Sequence, residues 1–205
     1  IVDLAVASAA LVLAFPLWCL IATAIRLESR GPIFYEQDRV GLGRRPFRMY
    51  KFRSMDPEAE RDIGPVWATD SDPRVTRVGA ILRRTHLDEV PQLFNVLRGE
   101  MSIVGPRPER PALVGRLIGA IPAYEERCTV LPGITGLAQV RSGYDRSIQT
   151  VRRKLRYDRH YIRRYGCLAL DLRIMAATLA IMCREAHSLW RRSARQQRTV
   201  SEREA

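Results

Sequence analysis

The sequence predicts an α+β protein that is mostly helical, with an N-terminal membrane helix and a small domain of short strands and interfacial amphipathic helices. Three observations predict it. Residues 4–25 (LAVASAALVLAFPLWCLIATAI) carry no charge over 22 positions, with Pro16 near the middle. Downstream, short runs of alternating apolar residues give way to longer runs of helical spacing. The basic excess, 34 Lys and Arg against 22 Asp and Glu, falls partly on a helix interleaved with tyrosines. At 205 residues the chain can build one domain with a core and a small appendage. The expected divisions are a membrane helix over 1–30, a cytoplasmic domain over 31–187 and a basic, disordered tail over 188–205. The chain begins at Ile1 rather than Met, as expected of a fragment or a processed form.

The first element is long enough to cross a bilayer, which takes about 20 apolar residues. It is too long for the core of a signal peptide and lacks a basic region before it. Pro16 removes one backbone donor and crowds the carbonyl four residues earlier, so a kink is expected there. Lipid tolerates freed backbone groups only where neighbours satisfy them, and Ser8 lies two turns before the proline. On the residues alone, a span and a re-entrant hairpin both remain open.

Pro32–Val40 and Phe47–Phe52 alternate as strands about a Gly41-Leu42-Gly43 turn. Asp56–Asp72 is acidic and turn-rich, a mobile loop by composition. Val75–Arg84 has helical spacing, and Thr85 is expected to cap a further helix with Asp88 or Glu89 in its first turns and Gly99 as its stop. Met101–Val104 reads as a strand, Ala112–Ile121 as a helix and Leu131–Gly136 as a rigid turn. Ile148–Tyr165 is a basic helix: residues 152–164 hold seven Lys or Arg and one acid, with Tyr157, Tyr161 and Tyr165 among them. That pattern suits arginines on anionic headgroups and tyrosines at the interface, and puts this face in the cytoplasm. Leu168–Trp190 is apolar but carries Asp171 and Arg173, which favours an interfacial helix over a second span.

A net charge of +12 points to nucleic acid, an anionic membrane surface or phosphorylated substrates. The chain lacks a recognisable nucleic-acid module, and its arginines alternate with apolar positions, so no nucleic acid is expected as partner. Cysteines 19, 128, 167 and 183 show no paired spacing and read as buried or membrane-facing thiols. The chemistry lies in the adjacent Asp88-Glu89. One carboxylate of such a pair can attack phosphorus and hold a phosphoryl group, while its neighbour holds a metal or moves a proton. Mg²⁺ favours carboxylate and phosphate oxygens, and Arg83, Arg84, Arg107 and Lys51 supply cations for phosphate.

Five segments in order carry a resemblance: Tyr50-Lys51-Phe52-Arg53-Ser54-Met55; residues 72–79 (DPRVTRVG); residues 87–97 (LDEVPQLFNVL); residues 99–109 (GEMSIVGPRPE); and Pro132-Gly133-Ile134-Thr135-Gly136. Together they resemble the bacterial sugar transferases, the monotopic phosphoglycosyl transferases, over residues 1–187. The resemblance implies transfer of a sugar-1-phosphate from a UDP-sugar to polyprenyl phosphate, with release of UMP, at the cytoplasmic face of the bacterial inner membrane. This is the first membrane step of exopolysaccharide, capsule or O-antigen synthesis. It implies a re-entrant helix broken at Pro16, Asp88 as nucleophile in a ping-pong scheme, Glu89 with Asp88 as Mg²⁺ ligands, and Lys51, Arg83 and Arg107 around the phosphates. Asp171, or Asp158 in its place, matches a further family acid. Phe15 stands where the family often has serine, and His86 where it often has serine or threonine; no catalytic role follows for His86. Residues 64–70 (GPVWATD) resemble the larger members that use glucose or galactose donors, in which a membrane bundle commonly precedes this part. A homodimer is an allowed state. The competing readings are a metal-dependent phosphohydrolase at the membrane surface and a non-catalytic scaffold.

Overall fold

The computed structural model describes residues 2–56, 72–142 and 148–204, with side chains to residue 187. The acidic loop and the GPVWATD segment fall almost wholly outside the described residues.

α1 (Val2–Glu28) is a single 27-residue helix with Pro16 in its interior, so the chain is helical on both sides of the proline rather than interrupted by it. It is long and apolar enough to cross a membrane. One stripe of it faces the protein. Ala7 packs with Met49, Leu93, Val96 and Met101, with Ala10 and Leu11 alongside. Four turns later Ile21 and Ile25 pack with Phe52 and Leu82, with Trp18 alongside. Before both, Asp3 Oδ1 accepts from the Ile103 amide at 3.3 Å. The opposite side is bare: Leu13 is 82% exposed, and Val12, Phe15 and Leu20 are also exposed.

The C-terminal end of α1 is held by capping. Arg53, only 5% exposed, donates to the carbonyls of Ile25, Ser29 and Arg30, which lie at and beyond the end of the helix. Ile25 O also accepts from the Ser29 amide at 3.2 Å, whereas Ser29 and Arg30 lie past the helix end, and a cation there also suits the dipole. Glu28 accepts from the amides of Arg77 and Val78 at 2.7 and 3.0 Å, so the end of α1 caps the start of α2 (Arg77–Arg84). Thr76 Oγ1 takes the Gly79 amide at 2.9 Å.

β1 (Phe34–Val40) and β2 (Pro46–Phe52) form an antiparallel hairpin in which Tyr35 lies opposite Lys51. After α2 the expectation of a helix starting at Thr85 fails. Thr85 closes α2, its hydroxyl donating to the Ile81 carbonyl at 2.8 Å. His86 then adopts a left-handed conformation (φ 57°), and Leu87–Glu89 form a single 3₁₀ turn before α3 (Gln92–Leu97). Gly99, with φ 72°, ends α3 as its spacing predicts.

β3 (Ser102–Val104) is parallel to β4 (Gly133–Thr135), which sequence spacing reads only as a turn. Between them come α4 (Pro111–Ala120) and a 3₁₀ segment over Pro122–Thr129. α5 (Leu137–Arg141), α6 (Ile148–Ile162) and α7 (Leu168–Glu204) follow. α7 continues through residues 188–204, where composition argues for an unstructured tail. Its Arg, Gln, Ala and Glu content has high helix propensity. Val104, Tyr161 and Ile174 join β3 to α6 and α7, while Val114, Ile121, Tyr124, Val151 and Leu155 join α4 to α6.

Candidate active site

Asp88 and Glu89 reach the same place from the 3₁₀ turn, Lys51 from β2, and Arg107 from the loop after β3. The left-handed His86 is what aims the acids: it reverses the chain after α2, so the pair precedes α3 instead of lying along it. The β2 side is fixed by Asn95, fully buried on α3. Its side chain accepts from the Tyr50 amide and donates to the Arg48 carbonyl, at 3.1 and 2.7 Å. Lys51 is therefore tied to α3 through the residues flanking it.

Glu89 is the hub. Its Oε1 lies 2.6 Å from Lys51 Nζ and 2.5 Å from Arg107 Nη2, and Arg107 Nη1 donates to Oε2 at 3.2 Å. Burial pushes its carboxyl upward, but Arg107 and then Lys51 outweigh this and hold it well below the usual carboxylate range. Asp88 is 7% exposed, and no hydrogen bond to its carboxylate is found among the described residues. Burial raises its pKa above the usual value; Lys51 opposes that rise and Glu89 adds to it. Adjacent residues thus hold one carboxylate gripped by two cations and one that feels their charge without a hydrogen bond from either.

Of the expected site residues, Asp88, Glu89, Lys51 and Arg107 come together. Arg83 ends α2 without a hydrogen bond or ion pair to the acids; the carboxylate its charge acts on is Asp72. Asp158 and Asp171 are held by other partners. Asp158 pairs with Arg127 at 2.7 Å, and Asp171 is grouped with Tyr161 on the α6–α7 side. His86 Nε2 meets Glu185 Oε2 of α7 at 2.9 Å.

The loop carrying Arg107 is held along its backbone. Gly105 donates to Thr135 O at 2.8 Å, and Gly133 donates to Pro106 O at 3.0 Å. A Cβ at Gly105 or Gly133 would overlap the facing strand, so the two glycine-containing segments seen in the sequence are one packed unit. Arg39 and Arg127, which sequence reasoning passed over, donate to the carbonyls of Pro108 and Arg107 at 3.0 and 2.8 Å.

A carboxylate without a hydrogen-bond partner, next to one gripped by two cations, suits attack on a bound phosphate better than simple surface pairing. The family model for bacterial sugar transferases matches residues 1–185. The chain belongs to the bacterial sugar transferase family. Relatives of this bacterial sugar transferase include the UDP-N-acetylgalactosamine-undecaprenyl-phosphate N-acetylgalactosaminephosphotransferase of Aeromonas hydrophila, 45% identical over 86% of this chain and 41% of that one. Two UDP-glucose:undecaprenyl-phosphate glucose-1-phosphate transferases are also similar. That of Xanthomonas campestris pv. campestris is 45% identical over 80% of this chain and 34% of its own length. That of Caulobacter vibrioides is 43% identical over 87% and 67%. The chain spans less than half the length of the first two.

Proposed function

We propose that this chain transfers a sugar-1-phosphate from a UDP-sugar, glucose or galactose by the sequence resemblance, to polyprenyl phosphate and releases UMP. The observation that carries the proposal is the split pair: a buried Asp88 without a hydrogen-bond partner among the described residues, beside a Glu89 held by Lys51 and Arg107. The names of the relatives support the reaction class, and their two different sugars leave the donor to experiment.

In this mechanism an Asp88 carboxylate oxygen forms a bond to the phosphorus that bears the sugar. The bond from that phosphorus to the bridging oxygen breaks, and UMP leaves with the oxygen. The phosphate of the lipid acceptor then attacks the same phosphorus. The Asp88–phosphorus bond breaks, the carboxylate is restored, and a sugar diphospholipid is formed. An anionic nucleophile approaching an anionic phosphate requires fixed positive charge. Lys51 and Arg107 supply it, with Glu89 holding both in place.

The two carboxylates fit Mg²⁺, which takes one or two carboxylates together with substrate phosphates rather than a full protein cage. Asp88 and Glu89 would hold it. When bound, such an ion neutralises phosphate charge and stabilises the leaving UMP.

α1 is proposed to be re-entrant, its bare middle in the bilayer and both ends on the cytoplasmic face of the bacterial inner membrane. Contacts at Asp3, Ala7, Ile21 and Ile25 with one domain support this, because a helix held at both ends cannot project away from that domain.

The test is UMP release from a panel of UDP-sugars with Mg²⁺, with and without undecaprenyl phosphate. Lipid-dependent release from one donor, lost in Asp88→Asn, is the expected result. Release indifferent to lipid would show a phosphohydrolase instead, and no release from any donor would overturn the assignment.

A further inference from the structure

The loop after β3 contains two prolines, Pro106 and Pro108, which offer no amide for internal hydrogen bonding. Its carbonyls are instead held from outside. Tyr161 Oη donates to Val104 O at 2.9 Å, and the Gly133 amide to Pro106 O at 3.0 Å. Arg39 donates to Pro108 O at 3.0 Å, and the Val40 amide to Glu109 O at 2.9 Å. The carbonyl of Arg107 itself is taken by Arg127 Nη2 at 2.8 Å.

Arg127 is held on its other sides as well. Its Nε meets Asp158 Oδ2 of α6 at 2.7 Å, Nη1 donates to Tyr124 Oη, and its guanidinium lies 4.7 Å from the Tyr124 ring centroid. Asp158 is 2% exposed. Only a planar fork can meet a carboxylate on one edge and a carbonyl on another; a lysine reaches one of them. A buried ion pair is weak evidence for stability as such, so a role in geometry is the more informative reading.

We infer that Arg127, fixed by Asp158, is the positioning residue for Arg107: it holds the Arg107 backbone so that the guanidinium faces Glu89 and the substrate phosphates. The inference rests on the phosphosugar-transfer reading for what Arg107 binds. Arg127 does not itself touch the acids, and its effect passes through Arg107. A donor diphosphate would then meet a preset fork, and loosening the carbonyl contact would cost affinity even with every charge retained.

The test is a double-mutant cycle on the full chain, with Arg127→Lys, Arg107→Ala and the double variant. Two readouts are taken: UMP release, resolved into kcat and KM for the donor, and binding of UDP with Mg²⁺ by calorimetry. Losing one charge-assisted hydrogen bond that orients a binding group predicts a weakening of about tenfold or more in UDP binding for Arg127→Lys. In the Arg107→Ala background the same change is expected to cost nothing further, because the residue it positions is gone. Asp158→Asn keeps the shape and an acceptor oxygen; it should show the same dependence on Arg107 and carries the test if Arg127→Lys does not fold. Equal losses in both backgrounds, or wild-type binding in Arg127→Lys, would overturn the inference. If the unaltered protein bound UDP but released no UMP, the transfer reading would fail while the binding cycle still decided the role of Arg127.

Discussion

Burial alone would raise both carboxyls of the acidic pair, and what separates them is where Lys51 and Arg107 point. For Asp88 the folded pKa lies above its usual value of 3.8. The folded state therefore holds that proton more tightly than the unfolded chain does. The resulting stability is present below pH 3.8 and is lost as pH rises through the folded pKa. Asp88→Asn is expected to melt at or above the wild-type temperature at pH 7, with the margin shrinking toward pH 4, while UMP release disappears. A variant melting well below wild type at pH 7 would contradict this. Glu89 behaves oppositely. Its folded pKa is below 4.5, so its stabilisation is present above 4.5 and is lost as pH falls through the lower folded value. Glu89→Gln leaves Lys51 and Arg107 facing each other without a counter-charge, at an expected cost of about 3 kcal/mol at pH 7. Denaturant titration should show that gap closing only below pH 4.5. A gap that already closed between pH 7 and 5 would mean that Glu89 is not the group that sets it.

At the scale of elements, α2 depends on two small features. A Cβ at Gly79 would overlap the Ser54 backbone, and Thr76 caps the helix. Gly79→Ala is expected to lose about 3 kcal/mol by forcing α2 off the β2 exit, and Thr76→Ala about 1 kcal/mol; denaturant unfolding ranks the two, and the reverse order would mean that the close approach at Ser54 yields. The strands β1 and β2 were legible because alternation marks each residue's face, and α4 and α6 because their apolar spacing is helical. β4 was not. Its three residues lie between Pro132 and Gly136 and pair through backbone with a strand some thirty residues away, so side-chain periodicity carries no trace of it. The turn at the acidic pair was missed for a related reason: Thr85 caps helices at either end, and a left-handed His86 has no compositional signal. The site itself was read through family segments, which placed Asp88, Glu89, Lys51 and Arg107. Asp158 was named only as an alternative to Asp171, and its pairing with Arg127 escaped because the two are 31 positions apart and Arg127 is one arginine among many in a basic chain.

For the whole molecule, the proposed meeting of the site with a lipid turns on α1. A 27-residue helix is about 40 Å long, more than the roughly 30 Å hydrocarbon core of a bilayer, so length permits a span. Packing argues against one. The Asp3–Ile103 contact and the Ile25–Leu82 cluster tie both ends of the helix to a domain whose surface is polar and basic, and such a domain cannot enter hydrocarbon to stay in contact with the far end. The exposed Val12, Leu13 and Phe15 sit between those anchors, where a shallow apex would dip into lipid while Asp88 stayed at the surface. Residues Leu4 and Leu27, both exposed, flank the anchors. In a background with the four native cysteines replaced by serine, Leu4→Cys and Leu27→Cys should react with a membrane-impermeant maleimide from the same side of sealed inner-membrane vesicles. Leu13→Cys should react from neither side. Labelling of positions 4 and 27 from opposite sides would establish a span, and would require α1 to leave the domain at one end when it meets the bilayer.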